Sequence, residues 1–314
     1  MNHPTNVKKN ARINVVLNQQ THQPATDEWL QTDEEKQTHD ILIRFEDQLK
    51  QFVGLDEVKR LVKEIYAWLY MNQRREQQGL KANKQVLHMI FKGNPGTGKT
   101  TVARIIARFF HDMNVLSKGH FIEAERADLV GEYIGHTAQK TRDLIKQASG
   151  GVLFVDEAYS LARGGEKDFG KEAIDTLVKG MEDKLHDFVL ILAGYSKEMD
   201  HFLSLNPGLP SRFPITMSFP NYTIQELMEM IHTMAKDRDY QLSKDAENAV
   251  RDHIKQYRND HEATFSNGRY IRNLIERAIR QQAVRLMKFH QYERQALMTL
   301  VAEDFKFNES HDKL

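Results

Sequence analysis

Residues 91–101 read FKGNPGTGKTT and place three glycines and a proline ahead of a lysine and two threonines. Four residues separate Gly93 from Gly98, and Lys99 and Thr100 follow directly. Glycine lets backbone N–H groups turn toward a common point at low steric cost, and a following helix N-terminus adds the positive end of its dipole there. The spacing therefore predicts a loop that binds phosphate.

The flanking sequence favours the strand and helix that such a loop requires. Residues 86–91 (VLHMIF) form a short apolar run, and residues 100–113 carry apolar side chains at helical spacing. In a P-loop the amides cradle phosphates, Lys99 reaches the β and γ oxygens, and the Thr100 hydroxyl helps to hold Mg²⁺. The predicted nucleotide-binding residues here are Gly93, Asn94, Pro95, Gly96, Thr97, Gly98, Lys99, Thr100 and Thr101.

Composition narrows the class of protein. The 314 residues contain 44 basic and 44 acidic side chains, so no global field favours nucleic acid or an anionic membrane. There are no cysteines, which excludes disulfides, thiolate metal sites and cysteine nucleophiles. The longest apolar runs fall far short of the roughly 20 residues that span a bilayer, and the N-terminus has no apolar signal core. We expect a soluble, cytoplasmic protein.

The chain divides into three regions by composition. Residues 1–40 are polar apart from INVVL at 13–17, which predicts a disordered arm; INVVL is either a docking strand or a chance apolar cluster. Residues 41–221 alternate apolar runs with helical patterns, and this alternation predicts a three-layer αβα core around a parallel five-stranded sheet. Residues 222–314 show helical periodicity and predict a small all-helical lid domain.

A second chemical signal follows the apolar run at residues 151–158 (GVLFVDEA). A buried strand that ends in two acids places Asp156 to ligate Mg²⁺ and Glu157 beside the γ-phosphate, where it polarises the attacking water. The alternative is a pair of acids that end a strand and face solvent. After a P-loop at this separation we predict the catalytic arrangement.

These motifs, GNPGTGKT followed by LFVDEA, resemble those of the AAA+ ATPases, and the resemblance covers residues 42–289. It implies that the backbone of Val53 and Gly54, in QFVGLDEVK, contacts adenine. It also implies that Arg212, in NPGLPSRFP, is an arginine finger that enters a neighbouring subunit's ATP site. A site shared between chains implies a homo-oligomeric ring, expected to be a hexamer. The alternative for Arg212 is an ordinary surface arginine.

Two sensor positions follow from the same resemblance. SNGRYIRN (266–273) resembles the second sensor, with Arg269 reading the γ-phosphate in cis, although Arg272 lies on about the same helical face and leaves the assignment open. At the first sensor many members of the family have an asparagine. This chain instead has Tyr195 or Ser196 in AGYSKEMD, so a hydroxyl is expected to take that place.

Tyr133, Ile134 and Gly135 resemble the aromatic–hydrophobic–glycine pore loop of AAA+ translocases. Rings of such aromatics grip an extended polypeptide by packing, and the glycine leaves the loop free to move. The alternative is a tyrosine that packs in the core before an ordinary turn.

The combination of NPGTGKTTVARIIA, VGEYIGHTAQKT, GVLFVDEAYSL and ILAGYSKEMDHF resembles the stage V sporulation protein K group and the related red-type Rubisco activases. We therefore predict a Mg²⁺-dependent ATPase ring that remodels or threads a protein client, in spore formation. Two rival functions stay open: a nucleotide-gated scaffold, and a nucleic-acid motor, which the neutral charge balance disfavours.

Overall fold

The computed structural model describes eight stretches of the chain and divides it into the units Met1–Asp40 and Ile41–Leu314. Residues 1–38 of the predicted polar arm lie outside the described residues, and INVVL (13–17) is among them. The architecture below belongs to the second unit. The described residues are 39–50 (the backbone alone at 50), 53–82, 86–133, 135–163, 169–184, 186–206, 208–261 and 264–307.

Five parallel strands form the central sheet, as the alternation of apolar runs predicts. They are β1 Met89–Gly93, β2 Phe121–Ala124, β3 Val152–Val155, β4 Val189–Gly194 and β5 Ile215–Phe219, and they lie in the order β2-β3-β4-β1-β5. Every residue of β3 and β4 is buried, which is the expected pattern when helices cover both faces of a sheet.

Helices cover both faces of this sheet. They are α1 Asp40–Lys50, α2 Asp56–Gln77, α3 Lys99–Asp112, α4 Arg126–Leu129, α5 His136–Gln147, α6 Gly170–Asp183 and α7 Ser196–Leu205. On one face, α5, α6 and α7 bury Ile145, Leu177 and Phe202 in a common core with β3 and β4. Across the sheet, Phe45 of α1 packs on Phe109 of α3 with ring centroids 4.8 Å apart.

The strand register places the functional loops at one edge of the sheet. Lys92 of β1 lies opposite Gly194, the last residue of β4, and Gly93 lies opposite Phe219, the last residue of β5. Ligands of open parallel sheets bind beyond the carboxyl ends of the strands. The loops after β1, β3 and β4 therefore meet at this edge.

The residues after β5 form the predicted helical lid, with α8 Ile224–Lys236, α9 Lys244–Asp260, α10 Asn267–Phe289 and α11 Arg294–Met298. Sequence explains where two of them begin, because Thr223 forms a capping box with Glu226 and Ser243 caps α9. The lid also contains a parallel pair of two-residue strands, β6 Gln241–Leu242 and β7 Thr299–Leu300, which are too short for periodicity to predict. No helix in the described ranges is long and apolar enough to cross a membrane.

Candidate functional site

A cleft of about 530 Å³ lies at the carboxyl ends of the strands, between the sheet and the lid. It brings together residues that are far apart in sequence, from the loops after β1, β3 and β4 and from the start of α10. The predicted site residues on its wall are Val53, Pro95, Gly96, Gly98, Lys99, Thr100, Thr101, Asp156, Glu157, Tyr195 and Arg269.

Other predicted residues do not line this cleft. Gly54, Gly93, Asn94 and Thr97 belong to the adjoining loops without forming its wall, and Thr97 is fully buried. Arg212, Tyr133 and Gly135 lie elsewhere on the chain, and Ile134 falls outside the described residues.

The loop between β1 and α3 has the geometry of an anion socket. Gly98 adopts a left-handed conformation (φ 97°) immediately before α3, and the Thr97 hydroxyl donates to the Asn94 carbonyl at 2.8 Å. The Lys99 ammonium donates to the carbonyls of Gly93 and Asn94, each at 2.8 Å. Because the first amides of a helix have no partner within it, the start of α3 offers N–H donors to an anion in the cleft.

The charges around Lys99 lie close enough to influence one another. Burial lowers the pKa of Lys99 to about 8; Asp156 and Glu157 oppose this shift, and Arg269 adds to it. Two carboxylates and a guanidinium thus line the same cleft as the lysine of the loop and act on its charge. This is the convergence of charges that the sequence motifs predict.

The two acids leave β3 in different directions. The Asp156 amide donates to the Ala124 carbonyl at 3.0 Å, and its carboxylate accepts from the Glu157 amide at 2.9 Å. Glu157 has φ 45° and ψ 42°, a left-handed conformation that is uncommon outside glycine, and it begins the short 3₁₀ helix Ala158–Ala162. Asp156 is consequently half-buried and tied to the backbone, whereas Glu157 is exposed in the cleft.

Tyr195 follows β4 and lines the cleft, half-buried. Its pKa is raised, first by burial and next by the Glu157 carboxylate. The phenol of Tyr195 therefore lies near Glu157. By the family resemblance, many relatives have an asparagine at this first-sensor position.

The lid holds the phosphate loop through residues that sequence reasoning missed. Asn267 is fully buried with φ 45°; its side chain accepts from the Tyr222 amide at 3.0 Å and donates to Asn221 Oδ1 at 2.8 Å. The Gly268 amide donates to the Gly96 carbonyl at 3.0 Å. The Tyr222 hydroxyl donates to the Thr97 carbonyl at 3.1 Å. The sequence signal for this turn was the tripeptide SNG at residues 266–268, because asparagine and glycine tolerate positive φ.

Arg269 and Arg272 both line the cleft from the first turns of α10, so the geometry does not choose between them. Helix α8 adds Met230, Thr233 and Met234, none of which the sequence singled out. The lid thus contributes positive charge and apolar surface to the same cleft.

Arg212 lies outside its own chain's cleft, in the 3₁₀ turn Pro210–Arg212. Its guanidinium donates to the Gly208 carbonyl at 2.6 Å and pairs with Glu182, and about a third of its side chain is exposed. It therefore lies at the surface, where an adjacent chain would have access to it.

Tyr133 is 65% exposed, and its ring meets that of His136 edge-on, with centroids 5.5 Å apart. The alternative of a core-packing tyrosine is therefore wrong. Gly135 adopts φ 83° and precedes α5, so the loop turns sharply next to an outward-facing aromatic side chain.

Thr100 and Asp156 both reach the cleft and offer a hydroxyl and a carboxylate. Mg²⁺ is commonly held by one or two protein oxygens together with substrate phosphates and water. Across the described ranges, no group of three or more His, Asp or Glu side chains could hold a metal ion on its own. This donor pair fits a Mg²⁺ ion that arrives with a nucleotide.

Family comparisons agree with this layout. The family of ATPases associated with various cellular activities (AAA) matches residues 89–221, and the AAA lid domain matches residues 223–313.

Three relatives each match more than four fifths of this chain. Stage V sporulation protein K of Bacillus subtilis (strain 168) is 60% identical over 310 residues, which cover 96% of each chain. CbbX of Cereibacter sphaeroides is 44% identical over 260 residues, 82% of this chain and 84% of that protein. A chloroplastic ribulose bisphosphate carboxylase/oxygenase activase of Cyanidioschyzon merolae is 43% identical over 274 residues, 85% of this chain and 88% of that protein.

Solved structures share the fold at low identity. The FIGL-1 AAA domain in complex with ADP has a TM-score of 0.56 at 16% identity, covering 81% of this chain and 80% of that one. The Thermotoga maritima RuvB Holliday junction branch migration motor has a TM-score of 0.53 at 22% identity, covering 82% and 69%. Likeness at this identity shows architecture alone. The family models and the relatives above show that the chain belongs to the AAA family of ATPases, in the group that includes stage V sporulation protein K, CbbX and the red-type Rubisco activases.

Proposed function

We propose that this ATPase assembles into a ring, hydrolyses Mg²⁺-bound ATP in the cleft described above, and uses the energy to remodel or thread a protein client. The observation that carries the proposal is the convergence of Lys99, Asp156 and Glu157 on one cleft beneath the lid. Each of these groups has a distinct task in phosphoryl transfer to water.

In the proposed mechanism the amides of the phosphate loop and Lys99 bind the β- and γ-phosphates. Thr100 and Asp156 would hold Mg²⁺, which supplies neutralisation of phosphate charge. Glu157 accepts a proton from the water that attacks the γ-phosphorus, and the bond to the bridging oxygen breaks to give ADP and phosphate. Arg269, or Arg272 from the same helix, stabilises the γ-phosphate from the lid.

The adenine base is assigned to the side of the cleft that Val53 lines. Gly54 follows in a left-handed conformation, φ 70°, and the methionines of α8 add polarisable apolar surface. This surface suits a flat heteroaromatic ring. The related fold of the FIGL-1 AAA domain binds ADP, which is consistent with an adenine nucleotide here.

The ring proposal depends on Arg212. Its guanidinium stands outside the cleft of its own chain and at the surface, so a catalytic role requires a neighbouring subunit. Removing an arginine finger reduces the rate by about 10³-fold or more in well-studied enzymes. We expect Arg212→Ala to abolish hydrolysis and leave ATP binding in place.

Mixing two inactive variants tests whether the site is shared. An Arg212→Ala subunit keeps its own Lys99, and a Lys99→Ala neighbour keeps its Arg212, so some sites in mixed rings are complete. We expect the mixture to regain ATPase activity that neither variant has alone. A mixture as inactive as its parents would contradict a shared site.

Glu182 provides the matched control, because it is the ion-pair partner of Arg212 within the same chain. If Arg212 matters only for that surface pair, Glu182→Ala should lose as much activity as Arg212→Ala. The finger role predicts instead that Glu182→Ala stays active, since an exposed pair contributes at most about 1 kcal/mol to stability.

Client handling is assigned to Tyr133. Casein, an unstructured polypeptide, serves as the probe, and stimulation of ATP hydrolysis is the measurement. We expect Tyr133→Ala to keep its basal ATPase activity and lose stimulation. Tyr292→Ala is the control, since Tyr292 is 60% exposed on the lid. Stimulation of Tyr133→Ala equal to that of the unmodified protein would contradict the pore-loop role.

A role in spore formation rests on the likeness to stage V sporulation protein K of Bacillus subtilis, and a cytoplasmic location belongs to the same proposal. Expression of this chain in B. subtilis that lacks its own stage V sporulation protein K should restore heat-resistant spores. The Glu157→Gln variant should not restore them. Failure of the unmodified chain, at matched expression, would contradict a shared role.

A further inference from the structure

The side chain of Tyr159 buries a hydroxyl group that packing of its aromatic ring does not explain. The residue lies in the 3₁₀ helix that follows Glu157, and only 5% of it is exposed. Within the described part of the chain its hydroxyl finds no hydrogen-bond partner of good geometry. Burial of an unpaired hydroxyl is destabilising, so such a group in a folded protein calls for an explanation.

The ring of Tyr159 is fixed in direction by its neighbours. Gly194, at the end of β4, packs so closely against the ring that an added Cβ would lie 2.6 Å from Tyr159 Cδ1. The Tyr195 ring lies 5.7 Å away, and the Arg163 guanidinium lies over the ring at 4.7 Å. A side chain packed on three sides has little freedom to turn its hydroxyl elsewhere.

The Glu157 carboxylate approaches this hydroxyl without forming a hydrogen bond of normal geometry. The pKa of Tyr159 is raised, first by burial and next by the Glu157 carboxylate. Among the described residues, the hydrogen bonds of Glu157 use its backbone N–H and C=O, and its carboxylate has no fixed partner there. The Glu157 carboxylate can therefore accept a hydrogen bond, and the nearby Tyr159 hydroxyl can donate one.

We propose that Tyr159 is a positioning residue whose hydroxyl donates a hydrogen bond to the Glu157 carboxylate and orients it toward the attacking water. The proposal rests on the proposed role of Glu157 as the base. Tyr159 does not line the cleft, so it acts through Glu157 and touches neither nucleotide nor water. Tyr195, which does line the cleft, remains free to contact them.

Tyr159→Phe removes the hydroxyl and keeps the packed ring. We expect kcat for ATP hydrolysis to fall at least about tenfold, which corresponds to about 1.4 kcal/mol of lost transition-state stabilisation. KM for ATP, the Kd for a fluorescent ATP analogue and the melting temperature should stay unchanged. A structural role alone would lower the melting temperature and leave kcat intact.

Two matched variants sharpen the result. Tyr66→Phe removes another buried tyrosine hydroxyl, 2% exposed on α2 and away from the cleft, and should leave kcat unchanged. Tyr195→Phe tests whether the neighbouring phenol anchors Glu157 instead. A kcat for Tyr159→Phe within twofold of the unmodified protein would overturn the proposal, as would a loss confined to Tyr195→Phe.

Glu157→Gln distinguishes a failure of the positioning role of Tyr159 from a failure of the proposed role of Glu157 as the base. If Glu157→Gln is inactive and Tyr159→Phe is fully active, the positioning role fails and the base assignment stands. If Glu157→Gln hydrolyses ATP at a near-native rate, the base assignment itself fails, and the role of Tyr159 is overturned with it.

Discussion

Each end of strand β1 has a basic group whose pKa is lowered by burial, fully buried at one end and half-buried at the other, and the comparison separates a structural group from a functional one. His88 immediately precedes β1, and Lys99 follows the loop at its carboxyl end. Burial is the first cause of a lowered pKa in both, to about 4 for His88 and about 8 for Lys99. A shifted pKa alone therefore does not identify a functional site.

Their surroundings differ. His88 is 1% exposed, packs its ring 5.6 Å from that of Phe188, and accepts a hydrogen bond from the Leu190 amide at 2.9 Å. Lys99 opens onto a cleft and has Asp156 and Glu157 nearby to oppose the effect of burial. Access and opposite charge, in addition to burial, distinguish the functional end of the strand.

The largest expected effect is at Lys99. Lys99→Ala should reduce ATP hydrolysis at least about a hundredfold, because a cation that stabilises the transferring phosphoryl group is lost. Nucleotide affinity, measured by isothermal titration calorimetry, should fall as well. The melting temperature without nucleotide should not fall, since a desolvated amine contributes little to folding. A large loss of stability would instead indicate that Lys99 is structural, like His88.

The opposite result is expected at His88. Its pKa is lower in the folded protein than the ordinary 6.5, so its contribution to stability is complete above pH 6.5 and is lost as the pH falls toward 4. That shift corresponds to about 3 kcal/mol of unfolding free energy, measured by urea denaturation at several pH values.

His88→Asn keeps an acceptor where Nδ1 lies and removes the titrating ring. It should flatten the acid part of the stability curve and leave kcat within about twofold, the small effect expected of a residue remote from the chemistry. A large fall in kcat at unchanged stability would break the distinction between the two ends of the strand.

A smaller effect concerns the pH dependence of ATP binding. Above pH 8 the amine of Lys99 in the nucleotide-free protein loses its proton, so it no longer attracts phosphate. The Kd for ATP should therefore rise as the pH increases from 7 to 9, by up to about tenfold for each pH unit beyond 8. His88→Asn should give the same curve. A flat curve would contradict the lowered pKa of Lys99.

Sequence predicts the core of this site because its elements carry local signals. The apolar runs predict the five strands, although β1 is predicted at 86–91 and observed at Met89–Gly93. Lys92 and Gly93 extend β1 beyond its predicted end because Gly93 pairs with Phe219, which is more than a hundred residues away in sequence. The spacing of the phosphate loop and the apolar run before the two acids predict that Lys99, Asp156 and Glu157 lie together, and all three line the cleft.

The contacts that complete the site leave no such local signal. Asn267 and Tyr222 hold the lid to the phosphate loop by hydrogen bonds that span up to 172 positions in sequence. The orientation of Tyr159 depends on close packing against Gly194 and Tyr195. Both depend on tertiary structure, which periodicity and motif spacing do not encode.

The most direct test of the account is ATP binding and hydrolysis by Glu157→Gln. The matched control is Glu123→Gln, an acid on the neighbouring strand β2 that pairs with Arg104 outside the cleft. We predict that Glu157→Gln binds ATP as tightly as the unmodified protein and hydrolyses it at least about a hundredfold more slowly, while Glu123→Gln is normal. Hydrolysis by Glu157→Gln near the native rate would contradict the central claim.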